Sequence, residues 1–370
     1  MSVLFTEGFD NMGASDGATY GKWFSAITTN GTNAATSSRS IITGRFGSGS
    51  ALQMSGYGGV ASSSSQVQNT YQLAADNQTL ILGFGFLTNG SASGVALFSL
   101  LDNAQTAQLD IRFDGTLHPY VTRNGTTLCT SSAQLTNNQW SFIELGAFIS
   151  ATTGWVELRV NSTLVASYYG TGTSRATANG NTQNSAVASV RYAVQGFNIG
   201  SGLSCTFQYD DVVINDNSGT VNNDFLGDVR VIGLLPNAGG TYSQLARTGG
   251  TASGNFTAVD ENPIDGDTSY VATAAVGALD TYKYPSLPVS ASQVLAVSST
   301  LVAKRDDAGT RSVTTHFKSG ASEADAPGAS IALGVSYHIT PQIMETNPVT
   351  GLAWTVDAVN AVEAGPKVTA

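Results

Sequence analysis

Phe207 to Pro236 reads FQYDDVVI, then NDNSGTVNNDF, then LGDVRVIGLLP. An apolar run of strand type closes one unit. A polar segment rich in Asn, Asp and Gly follows. A second apolar run, Val229 to Leu235, opens another unit. Polar turn formers between two β-type runs mark a domain junction. The chain is therefore expected to be all-β, with two tandem β-sandwich (jelly-roll) domains. Their expected bounds are 1–215 and 229–370, with 216–228 as linker.

Working outward, the chain has 370 residues, more than one core comfortably serves. Hydrophobic residues make up 41%, so each half can bury a core. Charged residues are 11%, against roughly 25% in average proteins. With 41 glycines and abundant Ser, Thr and Asn, this is the composition of short strands joined by many turns. The net charge of -10 and isolated lysines (Lys22, Lys283, Lys304, Lys318, Lys367) argue against nucleic acid as a partner, because counterion release needs clustered cations. No apolar run approaches the roughly 18 residues of a membrane span, so no membrane partner is expected. The opening MSVLFTEGFDN lacks the basic and apolar regions of a signal peptide.

Residues 1 to 214 read as short strands at regular spacing. In TLILGFGFL, Leu80, Leu82, Phe84 and Phe86 share one face, and Ile81, Gly83, Gly85 and Leu87 the other. Asp114-Gly115 and Asn124-Gly125 supply hairpin turns, and Asn161-Ser162 another. Residues 170 to 187 read as a long exposed loop. In the second half, strand candidates include Val229 to Leu235, Phe256 to Asp260, Gln293 to Lys304 and Arg311 to Lys318. Ala353 to Val359 is a further strand candidate, overlapping the best helix candidate, Thr355 to Ala364.

EGFDN with Trp23, GRFGSGSAL, NNQWSFIELGAFIS, GWVELRVNSTLV and the closing YDDVVI resemble, in that order, the concanavalin A-like, laminin-G-type jelly roll. In the second half, FLGDVRVIGLLPNAGG, VDENPIDGDTSYVATAAVGALDTYKY, VAKRDDAGTRSV and NPVTGLAWTVDAVNAVEAG resemble the C-terminal domain of tailed-phage and prophage virion proteins. Phe256 stands where that pattern has Trp. The resemblance implies a non-enzymatic virion structural protein. It would be a tail or tail-fibre component, or a head-attached fibre or decoration. It would be assembled in the host cytoplasm as a homotrimer with other virion proteins. An alternative reading is a carbohydrate-binding adhesin that recognises host surface glycans.

The chemistry expected of the side chains is sparse. A retaining glycosidase needs two carboxylates about 5 Å apart. No strand carries acids at i, i+2 and i+4. Glu144 and Glu157 read as single acids on solvated strand faces. A glycan-degrading enzyme is therefore the least favoured reading, and the three histidines, His118, His316 and His338, lie far apart and read as single surface or satisfied histidines. Cys129 and Cys205 lack metal or redox spacing; buried free thiols and a mutual disulfide both stay open. In the jelly-roll family the first and last strands lie side by side. The resemblance thus implies a structural Ca²⁺ site built from Asp10 with Asp210 or Asp211, against turn caps and surface acids as the plain reading. No other cofactor is expected. DENPIDGD, Asp260 to Asp267, reads as an acidic turn. Tyr168 and Tyr169, with Tyr57 and Tyr120, are the aromatic side chains placed to stack on a glycan.

Overall fold

The computed structural model describes residues 2–29, 38–57, 65–90, 94–195, 204–251 and 253–370. Two compact units share the chain. The first comprises Ser2–Phe9 and Trp23–Val231, the second Asp10–Lys22 and Ile232–Ala370.

The first unit follows the alternation of its strands. They are β1 (Val3–Glu7), β2 (Phe24–Thr29), β3 (Ser38–Thr43), β4 (Ser50–Tyr57), β5 (Ser65–Asn77), β6 (Thr79–Thr88), β7 (Ala96–Leu101) and β8 (Ala107–Phe113). There follow β9 (Pro119–Arg123), β10 (Thr126–Thr130), β11 (Ser141–Phe148), β12 (Trp155–Val160), β13 (Thr163–Tyr168), β14 (Val187–Gln195) and β15 (Ser204–Asn215). One sheet, here sheet A, has the order β13-β12-β11-β6-β15-β4-β3, with β1 pairing β15. Sheet B has the order β10-β9-β8-β7-β14-β5-β2. Every pairing is antiparallel, and the two sheets close a jelly-roll sandwich.

The core is aromatic. Phe84 lies 4.1 Å from Phe98, Phe86 lies 5.1 Å from Phe207, and Tyr209 lies 5.7 Å from Tyr192. The even residues of β6 therefore face inward as their alternation predicts. Fully buried Tyr209 also needs a partner for its hydroxyl. It donates to the carbonyls of Ala193 (2.6 Å) and Leu97 (3.0 Å).

The turns follow their residues. Asn124 and Gly125 both have positive φ, 47° and 75°, as a two-residue hairpin turn requires. Asn161 and Ser162 do the same at 49° and 64°. The Asp114 turn is longer. Its carboxylate accepts from the amides of Thr116 and His118, and Leu117 takes the positive φ, 65°.

Residues 216–231 are not a free linker. They lie on the outer face of sheet A as a strap belonging to the first unit. Val229–Leu235 forms no strand. Instead of a ladder, the amide of Val231 donates to Asp211 Oδ1 at 2.7 Å, and the Val229 carbonyl accepts from Arg45 at 2.7 Å.

In the second unit, β16 (Ala238–Ser243), β17 (Ala246–Thr248), β18 (Tyr270–Ala272), β19 (Asp280–Lys283), β20 (Val297–Ala303), β21 (Ser312–Ser319), β22 (Ser322–Asp325), β23 (Ile331–Ala332), β24 (His338–Met344) and β25 (Glu363–Val368) form antiparallel sheets. The largest runs β16-β19-β25-β21-β22, with β23 on β21. Two helices are short: α1 (Asp16–Thr19) and α2 (Val356–Ala361). The hydroxyl of Thr355 caps α2 by accepting from the Ala358 amide, so the helix reading of that segment prevails over the strand reading. The expected strand at Phe256 is a 3₁₀ turn over Asn255–Ala258. Phe317, Met344, Trp354, Val362 and Ala364 make the core. Buried Asp280 is satisfied four times, by the amides of Gln244 (2.6 Å) and Leu245 (3.0 Å), the Asn255 amide group (2.6 Å) and the Tyr282 hydroxyl (2.9 Å).

Candidate functional site: the outer face of sheet B

Because Phe98, Ile111 and Tyr192 point into the core, their neighbours Ser99, Asp110 and Arg191 point out. Strand register then lines these up. Thr70 lies opposite Arg191, Arg191 opposite Ser99, Ser99 opposite Asp110, and Asp110 opposite Thr122. One transverse row of polar side chains thus crosses five strands, β5, β14, β7, β8 and β9.

The row is tightly held. Ser99 Oγ donates to Asp110 Oδ1 at 2.6 Å and accepts from Arg191 at 3.3 Å. Arg112, two residues along β8, donates to Asp110 Oδ2 at 2.8 Å and to the Gly94 carbonyl at 2.6 Å. Asp110 is 8% exposed and Ser99 2%. Burial lowers the affinity of the Arg191 guanidinium for its proton, and Asp110 works against that shift. Among the described residues, the buried polar atoms of this face without a partner include Arg112 Nε, Arg191 Nε and Thr122 Oγ1. Buried polar groups left unpaired are uncommon and costly.

On β8 the outward positions i, i+2 and i+4 are Gln108, Asp110 and Arg112. A single carboxylate is flanked by a neutral amide and a cation. Gln108 is itself spent on Asp102 (3.0 Å) and the Ser185 amide (3.2 Å). Within β8 an acid pair for hydrolysis would lack its second acid.

Of the residues singled out in the sequence, Tyr120 shares this sheet and the others described lie elsewhere. Tyr169 donates from its hydroxyl to Glu157 Oε1 at 2.6 Å, and Tyr168 Oη accepts from the Asn181 amide at 3.3 Å. Both rings are half-buried. Tyr120 lies on sheet B opposite Arg112, and the side chain of Tyr57 is outside the described residues. Asp210 accepts from the Arg45 and Asp211 amides, both at 2.8 Å. Asp211 pairs with Arg45 Nε at 2.9 Å. Asp10 belongs to the second unit, where it accepts from the Gly233 amide at 2.8 Å. Among the described residues no three His, Cys, Asp or Glu side chains gather as a metal cage would need. Cys129 and Cys205 are both free thiols, and burial pushes each up to about 12.

Glu144 and Glu157 correct the sequence reading. They are not solvated: Glu144 is 2% and Glu157 7% exposed. Glu144 lies opposite Arg159 and Glu157 opposite Gly146, so both acids share the outer face of sheet A, two residues out of register. Burial raises Glu144 above the usual carboxylate range, against the pull of the Gly227 amide and Arg159. Burial also works to raise Glu157, but bonds from Arg175 and Tyr169 hold it below that range. Opposite shifts on one face are the pattern of an acid–base pair. Here the strap closes off one acid and the Arg175 turn the other. Gly227 donates to Glu144 Oε1 at 2.8 Å, and Arg175 takes both oxygens of Glu157 at 2.9 and 2.7 Å.

His316 is 5% exposed and is a satisfied histidine. Its Nδ1 lies 2.6 Å from Asp325 and its Nε2 3.4 Å from Glu323.

No family model matches this chain. No curated protein matches it either. Solved structures do. The alginate lyase Aly36B is 14% identical with a TM-score of 0.37, over 57% of this chain and 96% of its own. The alginate lyase vAL-1 from Chlorella virus is 10% identical with a TM-score of 0.37, over 58% and 99%. The GH16 endo-β-1,3(4)-glucanase SCLam is 15% identical with a TM-score of 0.38, over 58% and 90%. These carbohydrate-processing jelly rolls correct the expectation of a non-enzymatic virion structural protein or host-glycan adhesin, for which the comparisons give no support. At such identities the likeness is one of fold, and function has to be argued from the side chains.

Proposed function

We propose that the first unit binds polysaccharide across the outer face of sheet B and does not cleave it. The observation that carries this is the transverse row Thr70–Arg191–Ser99–Asp110–Thr122, with the unpartnered Arg191 Nε and Thr122 Oγ1 in it and the unpartnered Arg112 Nε beside it. A rigid sheet holds these groups at fixed spacing, and a chain of hydroxylated rings laid across the strands would meet them in turn. Two guanidinium groups against one carboxylate favour an acidic polymer over a neutral one. That β8 offers Asp110 as its single acid favours retention of the polymer over its hydrolysis.

Affinity electrophoresis through gels containing alginate or a neutral β-glucan tests the reading. The protein should be retarded by the acidic polymer. Arg191→Ala should weaken that retardation about tenfold or more, the effect of losing a charged hydrogen bond. Equal mobility with and without polymer overturns the proposal. Release of reducing ends from the same polymers, or of unsaturated uronate ends, would replace binding by cleavage.

A further inference from the structure

A second concavity lies on the opposite sheet. It is a cavity of about 460 Å³ on the outer face of sheet A, within the size range of small-molecule sites. Its walls include the rings of Trp155 and Phe148, the guanidinium of Arg175, the Thr79 hydroxyl and the amides of Asn217 and Asn223. The strands supply the floor and two loops supply the rim. The rim is built in advance of any ligand. Arg175 stacks 4.4 Å over Trp155, holds Glu157 with two nitrogens, and reaches Asp224 at 3.0 Å with the third. Asn215 donates to the carbonyls of Asn222 (2.7 Å) and Asp224 (2.9 Å), which fixes the loop that carries Asn217 and Asn223.

The chemistry of the walls selects a ligand class. The cation of Arg175 faces two carboxylates, so no uncompensated positive charge is left for an anion. What remains is an aromatic surface beside neutral donors and acceptors. Thr79 is 9% exposed, and neither its hydroxyl nor the Asn217 amide is engaged by a described residue. Apolar ring faces rimmed by hydroxyl edges match such a site.

The geometry points to a second binding site, specific for neutral sugars, at Trp155, Thr79 and Asn217. It is independent of the polysaccharide face on sheet B and does not rest on that reading. Saturation-transfer NMR with glucose, galactose, mannose, maltose and cellobiose tests it on the whole chain. At least one sugar should receive saturation. Asn217→Ala, at an exposed loop position, and Thr79→Val, of nearly the same shape, should each weaken that sugar about fivefold, the effect of one lost hydrogen bond. No transfer to any of the five overturns the proposal. So does transfer that persists unchanged in either variant while both proteins keep the parent melting temperature.

Discussion

At the scale of single residues, burial decides what each polar group does. Tyr209 is closed in by aromatic rings, yet its hydroxyl reaches two carbonyls. Tyr209→Phe leaves those carbonyls short of a donor. It should cost about 1–3 kcal/mol in urea unfolding. Asp280→Ala strips four donors of their acceptor and should cost more, measured in the same way. Glu144 gives a pH effect of definite sign. Its folded value is raised, so its contribution is full below the unfolded value of about 4.3 and is lost as pH rises through the folded one. Glu157 runs the other way: its contribution is present above about 4.3 and lost as pH falls through its depressed folded value. Glu144→Gln should therefore flatten the fall in stability that the parent shows as pH rises above about 4.3. If the two proteins change in parallel, Glu144 is not the titrating group. The thiols should resist a disulfide-exchange reagent at neutral pH until the protein is denatured, because burial raises both to about 12.

At the scale of elements, the strap over sheet A depends on a glycine. A Cβ on Gly146 would stand 2.6 Å from the Phe225 ring and 3.3 Å from Trp155. Phe225 can therefore settle on bare backbone, where Arg159 covers it at 3.9 Å. Gly146→Val should expel Phe225 and make 216–231 an early protease site, while the sandwich itself melts about 1–3 kcal/mol lower. Cleavage of the variant no faster than the parent would show that Phe225 does not hold the strap. The sequence spoke clearly at this scale where periodicity and turn chemistry agree. The two faces of β6 and the Asn124-Gly125 turn are cases. It misled where a polar partner outweighed the apolar pattern. Val229–Leu235 has the residues of a strand, but its backbone groups go to Asp211 and Arg45. The row on sheet B was hidden for a related reason. Its members come from five strands and meet through register, which no local spacing reveals. Glu144 and Glu157 looked solvated because the groups that engage them lie outside their strands: Gly227 arrives in the strap, 83 positions after Glu144, and Tyr169 and Arg175 follow Glu157 by 12 and 18 positions.

At the scale of the whole molecule, the boundary between units does not follow the order of the chain. Residues 10–22 belong with 232–370. There the Tyr20 carbonyl accepts from the Ile339 amide, and Asp10 accepts from Gly233. A chain cut to 232–370 loses these partners. Its urea midpoint should fall below that of the same unit in the full chain, and adding residues 10–22 as a peptide should recover part of the loss. A cut chain as stable as the parent would show that the N-terminal segment is dispensable.

The pairing of β1 with β15 joins residues some 210 positions apart. A ribosome releases the first strand long before its neighbour exists, and the segment just behind it must wait longer still for its own unit. Contacts of such long range close slowly. The nascent chain will therefore carry an unsheltered leading edge through most of its synthesis, which makes early aggregation, rather than final stability, the hazard this connectivity imposes.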